Sequence, residues 1–160
     1  MRIGHGFDAH ALEAGYPLVI GGVRIPHDQG LRGHSDADVL IHALCDALLG
    51  AAGLGDIGGL FPDTDSTHAK RNSREFLEVV IEMLRKRGYR VVNVDSTVIA
   101  EMPKISPFVA QMRAILSNVL ALDVSRVNIK ATTTEGLGYI GRQDGIAAHA
   151  VVLLSTSDVE

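Results

Sequence analysis

The sequence predicts an α+β fold in which helices pack on one face of a single β-sheet. Three observations carry this: the alternating pattern of Met1 to His10, a pair of short apolar runs around Gly21-Gly22, and the later alternation of helix-period with strand-period segments. At 160 residues and 46% hydrophobic content, the chain has the size of one domain, residues 1–160, and can bury about 70% of the surface its unfolded form exposes.

The elements follow in order. Met1 to His10 places Ile3, His5 and Phe7 on one side and Gly4, Gly6, Asp8 and His10 on the other, which is the period of a strand. Asp8 and His10 therefore share a face. Pro17 to Pro26 reads as two short strands joined at Gly21-Gly22, because glycine tolerates the positive φ of a tight hairpin turn. Ser35-Asp36-Ala37-Asp38 ahead of an apolar run predicts a helix start, with the Ser35 hydroxyl as cap and acids at the positive dipole end, and a helix reaching about Gly50. His34, Asp38, His42 and Asp46 recur every fourth residue there and form a polar stripe beside the apolar face. Gly55 to Asp65 is too rich in glycine and acids for a repeating element and reads as a loop. Asn72-Ser73-Arg74-Glu75 approximates a capping box for a helix carrying Phe76, Val79, Val80, Met83 and Leu84, closed by Gly88. Val91 to Ala100 is a strand, Ser106-Pro107 opens a helix to about Leu120, and Val127 to Thr132 and Ile146 to Leu154 are further strands.

Composition excludes several classes of partner. A net charge of -4, 21% charged residues and no run of like charge leave no footprint for nucleic acid or an anionic membrane. The longest apolar stretch, Ala47 to Leu54, is far short of the ~20 residues a bilayer requires. The first ten residues lack a basic and apolar leader pattern, so they belong to the fold. The single cysteine, Cys45, sits in an apolar run as a small buried thiol, which fits a reducing cytoplasm.

Four segments carry chemistry. Asp8-x-His10 on a strand with His42 on a helix offers one carboxylate and two imidazoles, a ligand set that suits catalytic zinc and leaves a coordination position open; a surface histidine and a hydrogen-bonded helical histidine would show the same spacing. His34-Ser35 before a helix start suits a phosphate, although capping alone explains Ser35. Gly55 to Asp65 could hold a polar ligand or be a turn with local backbone bonds to Asp63 and Asp65. Lys130 to Gly136 ends a strand with three hydroxyls and Glu135, which suits a phosphate with a hard metal ion, while threonine is also simply a good strand former. Lys104 precedes a helix start and could face an anion or only solvent.

Taken together, GFDAH at 6 to 10, HSDADVLIHALCDALLGA at 34 to 51, GDIGGLFPDTD at 55 to 65 and KATTTEGLGYIGR at 130 to 142 closely resemble the 2-C-methyl-D-erythritol 2,4-cyclodiphosphate synthase family. The resemblance spans nearly the whole chain. It implies a ferredoxin-like or cyclodiphosphate-synthase-like α+β fold, a free-standing enzyme, and a homotrimer with each active site between adjacent subunits. It also implies the reaction: 4-diphosphocytidyl-2-C-methyl-D-erythritol 2-phosphate, a small-molecule cytidine diphosphate, is cyclised with release of CMP in the non-mevalonate isoprenoid pathway. A zinc phosphoesterase that uses water, or a binder without catalysis, is the alternative.

The same resemblance assigns residues. Asp8, His10 and His42 would bind Zn²⁺, Glu135 would bind Mg²⁺ or Mn²⁺ with the diphosphate, and His34 and Thr133 would stabilise the transition state. Ser35, Asp56, Ile57, Gly58, Asp63 and Asp65 would hold the methylerythritol phosphate, and Ala9, Phe61, Pro62 and Thr64 would also contact the substrate. Ala100, Glu101, Met102, Pro103, Lys104, Ile105 and Ser106 would contact the cytidine diphosphate end with Thr132, Thr133 and Thr134, and Tyr139 and Arg142 would complete the substrate contacts. His5, Phe7, Arg142 and His149 would line a cavity on the trimer axis able to hold an isoprenoid diphosphate, with His149 where the family often has an acid.

Overall fold

A computed structural model describes residues 1–62 and 71–156. The chain runs β1 (Arg2–Ala14), β2 (Leu18–Ile20), β3 (Val23–Ile25), β4 (Gln29–Leu31), α1 (Val39–Ala52), α2 (Ile57–Leu60), α3 (Ser73–Lys86), β5 (Tyr89–Ile99), α4 (Val109–Leu120), β6 (Val127–Thr132), α5 (Gly138–Gly141) and β7 (Gly145–Thr156). Five strands form one sheet in the order β4-β1-β7-β5-β6, and β2 pairs with β3 as a separate hairpin. Gly21 and Gly22 take φ of 58° and 76° at its turn, as the glycine pair predicted.

The sheet is mixed: β7 runs antiparallel to both β1 and β5, while β5 and β6 are parallel. The cause is connectivity, since α4 carries the chain back between β5 and β6 and a parallel pair needs such a crossover. Helix α1 starts at Val39, not beside Ser35; its cap is Asp38, whose side chain accepts from Ile41 N, and it ends past Gly50 at Gly53 with φ of 72°. His34 therefore lies ahead of the helix, and only His42 and Asp46 of the expected stripe lie on it. Gly55 to Asp65 is not all loop, because Asp56 caps the short helix α2.

Helix α1 lies directly on β1 and β7, and glycine permits it. A Cβ on Gly4 would sit 2.0 Å from the Ala47 carbonyl oxygen, and one on Gly6 would sit 1.9 Å from that of Ala43. Eleven of the fourteen α1 residues are buried, because the helix is enclosed by the sheet, α3 and the hairpin. Each fully buried leucine here contributes roughly 1.5–3 kcal/mol. By contrast α3 buries one stripe, Phe76, Leu77, Val80 and Leu84. Cys45 is fully buried in α1, as expected.

The opposite face of the sheet is open. Ile3, His5, Phe7 and Ala9 project there from β1, and the register sets them beside Leu153, Val151, His149 and Ala147. Ile3 is 73% exposed and Phe7 48%. Among the described residues no helix is long and apolar enough to cross a membrane.

Candidate metal centre and substrate cleft

The side chains of Asp8 and His10 point from β1 toward the first turn of α1, where His42 meets them. Asp8 Oδ2 lies 2.9 Å from His10 Nε2 and 3.0 Å from His42 Nδ1, and the two nitrogens are 3.2 Å apart. Tetrahedral zinc with ligands at ~2.0–2.1 Å sets ligand atoms roughly 3.3 Å apart, so a shift of a few tenths of an ångström would admit the ion. The proton positions point the same way. His10 Nδ1 is 2.9 Å from the carbonyl oxygen of Arg32, which can only accept, so Nδ1 carries a proton and neutral His10 turns a lone pair toward Asp8 and His42. Such an arrangement of acceptors fits a cation.

Burial pushes the Asp8 carboxyl up, but His10 and His42, when protonated toward it, outweigh burial and hold the group well below the usual carboxylate range. It stays a carboxylate at any pH where an ion could bind. Asp46, one turn beyond His42, accepts from Ile57 N at 2.8 Å and so ties α2 to α1; burial raises its carboxyl.

These three residues line a cleft of about 310 Å³ together with Arg32, Gly33, His34, Ser35, Ile57, Gly58, Phe61 and Phe76. The Phe61 and Phe76 rings pack 4.5 Å apart and form its apolar wall. Of the expected contacts on this side, His34, Ser35, Ile57, Gly58 and Phe61 are thus gathered in one place. Asp56 is exposed, with Oδ1 accepting from Gly59 N at 2.8 Å. Asp63, Thr64 and Asp65 lie outside the described residues. The start of α1 lies at Asp38, which is fully buried and takes up Ile41 N with its side chain and His42 N with its carbonyl, while His34 and Ser35 line the cleft ahead of it. Arg32, Gly33 and Phe76 were not anticipated; Phe76 reads from sequence as an ordinary helix-face residue.

The other expected residues assemble elsewhere in the chain. Ala100 N donates to the carbonyl of Thr132, and Glu101 Oε1 accepts from Thr134 N, Thr134 Oγ1 and Gly136 N at 2.9, 3.2 and 3.1 Å, which lowers its carboxyl below the usual range. Residues 100–106 and 132–136 are thereby joined. Thr133 Oγ1 donates to Glu135 Oε1 at 2.9 Å, with Glu135 at φ of 53°. Met102, Lys104 and Tyr139 are exposed. The register sets Ala9 level with Ala147, Ile99 and Thr132. Three strand spacings separate Ala9 from Thr132, roughly 14 Å.

On the open face, His5 Nε2 and His149 Nδ1 are 2.9 Å apart and Phe7 packs 4.8 Å from the His149 ring. Arg142, expected with them, has its Nε 2.9 Å from Asp144 Oδ2.

A family model, the YgbB family, matches residues 1–155. The chain belongs to the YgbB family. One relative, the 2-C-methyl-D-erythritol 2,4-cyclodiphosphate synthase of Syntrophomonas wolfei subsp. wolfei, is 59% identical over 96% of this chain and 98% of its own length. Among solved structures, the bifunctional IspDF of Campylobacter jejuni superposes with a TM-score of 0.93 at 46% identity; 97% of this YgbB chain is covered, but only 42% of that longer one. A 2C-methyl-D-erythritol-2,4-cyclodiphosphate synthase in its CDP-bound form superposes with a TM-score of 0.89 at 40% identity, over 96% of this chain and all of that one.

Proposed function

We propose that this chain is a 2-C-methyl-D-erythritol 2,4-cyclodiphosphate synthase: it cyclises 4-diphosphocytidyl-2-C-methyl-D-erythritol 2-phosphate through attack of the 2-phosphate on the β-phosphorus, releasing CMP. The observation that carries this reading is the convergence of Asp8, His10 and His42 at the mouth of a cleft that also holds His34 and Ser35. Family membership and a relative at 59% identity support it.

Nucleophile and leaving group are both phosphates, so the protein needs little proton transfer and mainly orientation and charge neutralisation. Asp8, His10 and His42 would hold zinc, which when bound supplies Lewis-acid charge to a phosphate oxygen. Glu135 would hold Mg²⁺ or Mn²⁺ against the diphosphate. His34 and Thr133 donate to charge that builds in the transition state, while Ser35, Ile57 and Gly58 orient the methylerythritol phosphate against the wall of Phe61. Segments 100–106 and 132–134 take the cytidine diphosphate end.

Within one chain the two groups of residues stand at opposite sides of the sheet, so we infer a homotrimer in which Glu135 and Thr133 of one copy complete the cleft of the next. The open apolar face that bears Ile3, Phe7 and Val151 supports burial against other copies. His5, Phe7 and His149 would then surround the axis, where Arg142 would attract an isoprenoid diphosphate. Sedimentation equilibrium giving a monomer at micromolar concentration would refute the assembly.

The reaction is tested by phosphorus NMR with the cytidyl substrate and Mg²⁺, with and without a chelator. A cyclic diphosphate and CMP that vanish on chelation are expected. A linear phosphate with both metals present would overturn cyclisation in favour of hydrolysis, and no turnover would favour a binder.

A further inference from the structure

The imidazole of His42 has a partner on its far side that no part of the proposed chemistry uses. Its Nε2 lies 2.9 Å from Ser73 Oγ, at the first turn of α3. Ser73 is fully buried, and its hydroxyl donates to Asp36 Oδ1 while its backbone N–H donates to Asp36 Oδ2 at 3.1 Å. Asp36 is held in turn by its own N–H, which donates to the Arg71 carbonyl at 3.1 Å. The carboxylate thus grips the start of α3 with both oxygens, where the helix dipole favours an acid.

We propose that Asp36 and Ser73 are positioning residues for the metal centre: they fix the His42 tautomer so that Nδ1 turns its lone pair toward Asp8 and His10. The proton count leads there. A serine hydroxyl has one proton, and here it goes to Asp36. Ser73 Oγ can then only accept from the imidazole, so Nε2 carries the histidine proton and Nδ1 is left bare. Ser35 Oγ, 3.2 Å from Nε2, is a longer second acceptor and faces the cleft, where substrate contacts compete for it. The Arg32 carbonyl does for His10 what the Asp36–Ser73 pair does for His42. Pull from the Asp36 carboxylate through the hydroxyl also makes Nδ1 a stronger base and ligand.

This inference rests on the reading of Asp8, His10 and His42 as zinc ligands. The experiment measures zinc affinity of the full chain by competition with a chromophoric chelator, together with the His42 ring ¹⁵N resonances of the zinc-loaded protein. Wild type is expected to bind one zinc per chain with the His42 proton on Nε2. Ser73→Ala and Asp36→Asn should bind about 10- to 100-fold more weakly and shift the Nε2 resonance, as removal of such outer partners does. Unchanged affinity and an unchanged resonance in either folded variant would overturn the relay. If Ser73→Ala does not fold, Asp36→Asn and the wild-type resonance still decide, since a proton on Nδ1 refutes the proposal outright. If His42→Ala binds zinc as wild type does, the metal reading itself has failed, which is a separate result.

Discussion

The metal corner and the Thr132–Glu135 end differ in how far one chain builds them. In the corner, Asp8, His10 and His42 come from a strand and a helix locked together at Gly4 and Gly6, and each imidazole has an outer partner. At the other end, the Thr133 and Glu135 side chains bond to each other, Thr133 is half-buried and Glu135 is exposed. A small ion needs donors preset to tenths of an ångström, which a single packed interface provides. A long, flexible substrate tolerates a site closed by a second copy. The contrast teaches that one chain packs and orients the first region by itself, while the second is the part that the proposed assembly would have to complete.

The comparison breaks most visibly at His42. His42→Ala should lose zinc by elemental analysis and lower kcat/KM by about 10³-fold or more, since several kcal/mol of charge stabilisation go with the ion. A zinc-replete, active variant would sink the assignment.

Next in size is the frame that presents His42. Asp38 is buried and accepts from Gly21 N, Gly22 N and Ile41 N, tying the β2–β3 turn to the start of α1. Burial raises its carboxyl from the usual 3.8 to about 6, against the pull of those N–H groups. The folded state therefore binds the proton more tightly, so this contribution to stability is complete below 3.8 and is lost as pH rises through about 6. The stability advantage of wild type over Asp38→Asn in urea titrations should shrink by roughly 3 kcal/mol over that window. An advantage that grows with pH would reverse the sign.

At the half-built end the effects are smaller. Glu135→Gln should retain zinc and lose about 10- to 100-fold in kcat, with more Mg²⁺ needed for half-maximal rate. Equal activity at low Mg²⁺ would remove Glu135 from the mechanism. Mixing sharpens the contrast further: His42→Ala and Glu135→Gln subunits, each strongly impaired alone, should reach about a quarter of wild-type activity when co-refolded, if the proposed trimer takes the corner of each site from one copy and Glu135 from the next. No recovery would place both halves in the same subunit.

Much of this was legible in the residues. Strand alternation put Asp8 and His10 on one face, and the Gly21-Gly22 turn and the strand Val127 to Thr132 appear as read. The cap of α1 was not legible, because Ser35, Asp36 and Asp38 are all good capping residues; Asp38 wins because the β2–β3 turn docks on it and supplies two further donors. Strand order and direction were not legible, because local period specifies neither. Ser73 looked like the second residue of a capping box, and nothing local tells that its hydroxyl faces an imidazole thirty-one residues away.

By itself, the sequence determined the longer elements, the turn glycines and the donor chemistry of Asp8, His10 and His42, but not β4, α2 or α5, since side-chain period, φ preference and donor chemistry are properties of neighbouring residues. Only the tertiary structure decided which acid caps α1, which nitrogen each histidine turns inward, and that Thr132 lies three strands from Ala9. Those depend on contacts between residues far apart in the chain, which form only when the sheet pairs and α1 and α3 pack.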